Sequence, residues 1–236
     1  LSADSSVLVT GYVLLTLSLG LGLGLLLRNQ RKSSQLIASG TAICGGTTIA
    51  SLSPVIQARP EQTGVALTLV FLLNALALFT FPTIGEYLAL SQEQFGVWAA
   101  LAIHDTSSVV ATSALYGEEA AMVATTVKLG RTLWLIPLLL VFSVLQHQGS
   151  AKLRIPLFIV LFIMTACMGS VTELPGALVN AASTTSKMLL VVALFFIGTE
   201  ISRDTLRGLR GAVLVHGLLL WAMVVPLTLL VVIRLV

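Results

Sequence analysis

Charge is what this chain has least of. Only 10% of its 236 residues are Asp, Glu, Lys or Arg, while 56% are apolar. A soluble domain carries roughly 25% charged residues, so a soluble globular protein is excluded. Cysteine is nearly absent as well. Cys44 and Cys167 each lie in an apolar tract, too few for a disulfide framework and better suited as small apolar fillers. His147 and His216 fall in remote segments, so no metal-ligand spacing exists and no metal or cofactor is expected. Basic stripes with interleaved aromatics are missing too. The net charge of +3 therefore does not point to nucleic acid; its Lys and Arg sit at the ends of apolar tracts, the positive-inside pattern.

What the chain does have is long uncharged tracts, and a mean hydropathy of +1.00. A tract of about 20 residues matches the hydrocarbon core of a bilayer at 1.5 Å rise per residue. The expected fold is all-α: a polytopic transmembrane helical bundle, one domain over residues 1–236, with two broken or re-entrant helices. Expected spans are Val7–Leu27, Gly64–Phe81 ending at Pro82, Ala121–Leu145, Ile155–Val171, a shorter one over Met188–Thr199 after a polar loop at Thr172–Lys187, and Gly211–Ile233. The basic islands Arg28–Lys32, His147–Arg154 and Arg203–Arg210 belong in the cytoplasm, and Glu118, Glu119 and Glu173 on the opposite side.

Two stretches interrupt this pattern. In Gln35–Gln57 the run Ser39-Gly40-Thr41-Ala42-Ile43-Cys44-Gly45-Gly46-Thr47-Thr48 has the glycines and hydroxyls that a helix break needs inside lipid, where unsatisfied backbone is tolerated only against protein or a hydrated cavity. A new helix starting at about Cys44 to Thr47 would aim free amides and a positive dipole end at mid-membrane, an anion site; packing between helices is the simpler use of small residues. In Phe95–Tyr116 the centre is His104-Asp105-Thr106-Ser107-Ser108. An ionisable residue at mid-helix costs about 2.5–3.5 kcal/mol on insertion scales, so His104 and Asp105 imply a polar cavity or network, and Asp105 before Thr-Ser-Ser reads as an N-cap. His104 or Asp105 would titrate or hold a coupling proton or sodium ion.

With both stretches spanning, the Glu86/Glu93 connector lies inside; with both re-entrant it lies outside, which suits the charges. The resemblance given below favours spanning. On one helix His104 and Ser108 would be i,i+4 neighbours and form a Ser–His dyad for an intramembrane hydrolase, but Asp105 points about 100° from His104 and no oxyanion element is evident. The chain is therefore not read as an enzyme. Lys128 and Arg131 share one helix face and either snorkel or attract an anion. Asn74 reads as an interhelical hydrogen bonder.

Taken together, Ser39–Gly46 with Pro54-Val55-Ile56, Phe95–Val110, and Val127-Lys128-Leu129-Gly130-Arg131 with Trp134 and Pro137 resemble the YeiH-like family of bacterial inner-membrane proteins, labelled sulfate exporters. The resemblance covers essentially the whole chain. It departs at Gly130, where a hydroxyl residue is expected. It implies an inverted-repeat transporter fold with broken helices meeting at mid-membrane, and a longer protein whose first third precedes this chain. It also implies a secondary transporter of a small anion such as sulfate. Gly40, Thr41, Cys44, Gly45, Gly46, Thr47, Thr106, Ser107 and Ser108 would then bind substrate, His104 and Asp105 would couple a proton or cation, and Lys128 and Arg131 would attract the anion. Expected partners are the solute, lipid and the coupling ion, with a homo-oligomer allowed. A passive channel or membrane sensor is the alternative.

Overall fold

The computed structural model describes residues 3–145, 175–200 and 211–236, together with Leu161, Met164, Thr165, Met168, Gly169 and Leu209. The regular elements among them are all helices: α1 Ala3–Leu26, α2 Arg31–Ala42, α3 Gly45–Val55, α4 Pro60–Tyr87, α5 Gln92–Ala102, α6 Thr106–Tyr116, α7 Glu118–Thr132, α8 Leu135–Leu145, α9 Gly176–Glu200 and α10 Ala212–Leu235. The expected span Ile155–Val171, with Cys167, and the basic islands at 147–154 and 203–210 lie largely or wholly outside the described residues.

Four helical stretches are long and apolar enough to cross a membrane: Val7–Leu26, Pro60–Tyr87, Glu118–Leu145 and Ala212–Leu235. Large apolar side chains such as Leu25, Phe79, Met122 and Leu230 are exposed on them, as lipid-facing surface should be. The third stretch has a joint at Leu133–Trp134, between α7 and α8. There the Trp134 amide bonds back to the Arg131 carbonyl at 3.1 Å, a tightened turn, and Pro137 has no amide to restore the regular ladder.

Two expectations about boundaries are corrected. Pro82 does not end the third tract: α4 runs through it to Tyr87, so flanking contacts absorb the lost backbone bond. The polar stretch Thr172–Lys187 is not a loop throughout, because α9 begins at Gly176.

The larger difference lies in the interrupted stretches, for which the resemblance favours spanning. Their arms α2, α3, α5 and α6 have 12, 11, 11 and 11 residues, rising about 16–18 Å each, half of the roughly 30 Å hydrocarbon core. The ends of each pair meet at one level. Lys32 Nζ at the start of α2 donates to the Gln57 carbonyl just past α3 at 2.6 Å, and Arg59 and Gln62 donate to Gln30 Oε1. At the other pair, the Tyr116 hydroxyl ending α6 donates to the Leu90 carbonyl just before α5 at 2.6 Å. The amides of Glu119 and Ala120 meet Gln92 Oε1. Both stretches are therefore re-entrant hairpins. α4 joins the exit of one to the entry of the other across the membrane, so the hairpins enter from opposite faces. The connectors are tight: Arg28, Gln57 and Ala89 take φ of 51°, 51° and 48°, the left-handed geometry that reverses a chain after a helix.

The core around the hairpins is dense. Trp98 is fully buried, stacked on Phe81 at 4.2 Å between ring centres and bonded through Nε1 to the Val225 carbonyl at 3.2 Å. It locks α5 between α4 and α10. On the opposite side of the bundle His216 joins α10 to α1, with Nε2 2.8 Å from the Gly20 carbonyl oxygen and Nδ1 3.3 Å from Asn29 Nδ2.

Candidate functional site

Each hairpin turns over in two or three residues that leave helical geometry. In the first, Ile43 (φ −122°, ψ −93°) ends α2 and extended Cys44 (φ −139°, ψ 97°) starts α3. In the second, Ile103 and Asp105 are extended and bracket His104. The two turns touch. The Gly45 amide donates to the His104 carbonyl at 2.9 Å, and Cys44 Sγ lies 3.5 Å from Thr106 Oγ1 and 3.8 Å from Thr47 Oγ1. A Cβ at Gly45 would overlap Val70 and come 3.1 Å from His104 Cβ, so this approach requires glycine.

The tips bring four helix ends together. α2 and α5 present their C-terminal carbonyls, and α3 and α6 present their N-terminal amides. α6 is capped as its sequence suggested: Asp105 Oδ2 accepts from the Ser108 amide at 3.1 Å, and the Ser108 hydroxyl is 3.5 Å away. α3 has no side-chain cap on its N-terminus; the Cys44 amide instead donates to Thr48 Oγ1 at 3.1 Å. The first-turn amides of Gly46, Thr47, Thr106 and Ser107 have no carbonyl within their own helix. These residues and Asp105 are half-buried, whereas Gly45, Thr48, His104 and Ser108 are buried.

Lys128 and Arg131 do not snorkel. Both are fully buried, and they serve the C-terminal ends. Arg131 donates through Nε to the Ala42 carbonyl at 2.8 Å, through Nη1 to Ala100 and Leu101 at 2.9 and 2.7 Å, and through Nη2 to Thr41. Lys128 Nζ donates to the Ile103 carbonyl at 2.7 Å and reaches Ala100 at 3.5 Å. A cation at a helix C-terminus is favoured by the partial negative charge there, and two such ends converge here. Tyr12 of α1 completes the arrangement: its ring lies 4.5 Å from the guanidinium carbon, Arg131 Nη2 donates to its hydroxyl at 3.2 Å, and that hydroxyl donates to the Thr41 carbonyl at 3.1 Å.

The residues singled out in the sequence thus divide. Cys44, Gly45, Gly46, Thr47, His104, Asp105, Thr106, Ser107 and Ser108 gather at the tips. Gly40 and Thr41 lie behind them. Gly40 gives room to Ile49 within its hairpin, and the Thr41 backbone serves Arg131. The His104–Ser108 pairing of an unbroken helix does not form, since neither imidazole nitrogen has a hydrogen-bond partner among the described residues. Two contributors went unrecognised in the sequence. Asn74, read as a general interhelical bonder, accepts the His104 amide through Oδ1 at 3.0 Å and fixes the second turn. Tyr12 sits in an ordinary-looking apolar span and gave no signal. A separate cavity of about 710 Å³ between α1, α5, α7 and α10 is lined by Tyr12, Glu93, Val97, Val127 and Thr228 among others, but by none of the tip residues.

Residues 1–216 match the family described as conserved hypothetical protein 698. The chain belongs to that family. Its curated relatives are bacterial and are named UPF0324 membrane proteins, and the YeiH-like family is this same group. The Porphyromonas gingivalis protein is 46% identical over 84% of this chain and 61% of its own length; that of Bacteroides thetaiotaomicron is 46% identical over 82% and 59%. Protein VP0936 of Vibrio parahaemolyticus is 41% identical over 94% and 74%. The chain therefore spans about three fifths of the length of the first two relatives. No solved structure matches it. The family, the apolar helices and their exposed faces together make this a membrane protein.

Proposed function

We propose that this protein is a secondary active transporter of a small anion such as sulfate, acting in the bacterial inner membrane with its substrate site where the two hairpin tips meet. The observation that carries this reading is the direct contact of two opposed re-entrant turns at half-depth, the Gly45 amide on the His104 carbonyl. Irregular backbone at that depth is tolerated where it lines a site, and helix N-termini facing mid-membrane are how transporters hold anionic groups. Half-buried Gly46, Thr47, Thr106 and Ser107 supply the donors, with Asp105 the carboxylate beside them among the described residues. Lys128 and Arg131 contribute positive potential from behind rather than direct contact, because their donors are committed to carbonyls. Asp105 is the coupling residue. It is half-buried and caps α6, whereas His104 is sealed.

The test is flux of a panel of oxyanions into proteoliposomes containing the full-length protein, with imposed proton or sodium gradients and Asp105→Asn in parallel. Gradient-driven flux in the wild type that the variant uncouples is the expected result. Flux indifferent to every gradient would favour a channel, and labelling of Ser107 or Ser108 by a serine-reactive probe would favour a hydrolase.

A further inference from the structure

We infer that binding of the anion and protonation of Asp105 reinforce each other, so that anion and proton cross together in one direction; this rests on the transporter reading above. Lys128 and Arg131 are fully buried, and no carboxylate pairs with either among the described residues. Their partners are neutral carbonyls, which orient a cation without cancelling it. The carboxylate within electrostatic range of Lys128 at the tips is Asp105. The other ionisable groups facing this region are Cys44 from the first tip, His104 beside Asp105, and Tyr12 from α1. Glu86 of α4 lies beside Tyr116 at the far end of α6. Packed on α6, α9 carries Lys187 and Glu200. Among the described residues, two buried basic side chains at the tips, Lys128 and Arg131, therefore face one acidic side chain, Asp105.

With Asp105 ionised, its carboxylate stands at the start of α6. An anion at the amides of Gly46, Thr47, Thr106 and Ser107 would then lie against that carboxylate, since Asp105 directly precedes Thr106. Protonation removes the repulsion. By reciprocity the bound anion raises the affinity of Asp105 for its proton by the same factor. Exchange of anion for proton needs the opposite sign, each ligand excluding the other. With acid outside, this coupling drives uptake, so export by the same site would require a reversed gradient.

The experiment uses the full-length protein and strong-acid anions, sulfate, nitrate and methanesulfonate, whose own charge is constant between about pH 8 and about pH 5. Binding is followed by titration calorimetry, and proton movement by a pH dye trapped in proteoliposomes. The expected result is affinity rising about tenfold on acidification, with acidification inside the vesicles as anion enters. Asp105→Asn, which keeps the N-cap, should bind tightly at every pH and lose the proton movement. Binding that weakens on acidification, or a pH dependence that survives Asp105→Asn, overturns the inference while leaving transport intact. Failure of all anions to bind or move overturns the transporter reading, and this inference with it.

Discussion

The two hairpins are built alike and finished differently. Each has a first arm ending in bare carbonyls and a second arm starting in bare amides, and α7 supplies a buried cation to each set of carbonyls. The second arms part company at their first residue. α6 starts on Asp105, which brings a charge and a true cap; α3 starts on Cys44, which brings neither. The comparison teaches that among the described residues one tip carries an acidic side chain, while the other offers amides, hydroxyls and a thiol.

The most complete test is all-or-none. In a background lacking Cys44 and Cys167, single cysteines placed at Gln57 and Ala89 should react with an impermeant maleimide from opposite sides of the membrane, and one at Gln30 should follow Gln57. Labelling of Gln30 and Gln57 positions from opposite sides would show a spanning helix and end the hairpin description. Next in size is Arg131→Ala, which strips carbonyls of both hairpins of their donor. Leaving such groups buried should cost on the order of 3–5 kcal/mol, read as a large fall in unfolding temperature in detergent. Arg131→Lys, lacking the fork, should recover only part.

Gly45→Ala should separate the tips, because its Cβ meets Val70 and His104, at about 1–3 kcal/mol, with flux lost. Gly46→Ala meets only Phe71 at 3.2 Å and Leu67 at 4.0 Å, so it should be milder; equal losses would show that tip contact is not what glycine protects. Smallest is the contrast of caps: Asp105→Ala should lose about 1 kcal/mol through its cap, and Cys44→Ala within about 0.5 kcal/mol, both by thermal unfolding.

The breaks themselves were legible because a helix N-cap and a glycine pair are local signals. Asp105 before Thr-Ser-Ser and Gly45 after Cys44 both fall where a helix restarts. The apolar tracts likewise located α1, α4, α7–α8 and α10. Re-entrance depends on which ends share a membrane face, a tertiary fact carried by contacts such as Lys32 with Gln57 and Tyr116 with Leu90. Lys128 and Arg131 were visible as costly residues, but their i,i+3 spacing does not tell carbonyl ends from a solute. Asn74 and Tyr12 act through distant backbone, at separations of 30 and 29 residues, where no local pattern forms. Pro82 ends a helix by propensity, yet the surrounding packing carries α4 through.

Arg131 grips carbonyls from both re-entrant segments at once and is itself held by a tyrosine of the first helix. Prying one turn from the other would leave a guanidinium and several peptide oxygens without partners in an oily interior. Any motion that exposes the tips first to one side and then to the other while sparing those bonds must carry both turns as a rigid wedge, with the hinge falling in the surrounding helices.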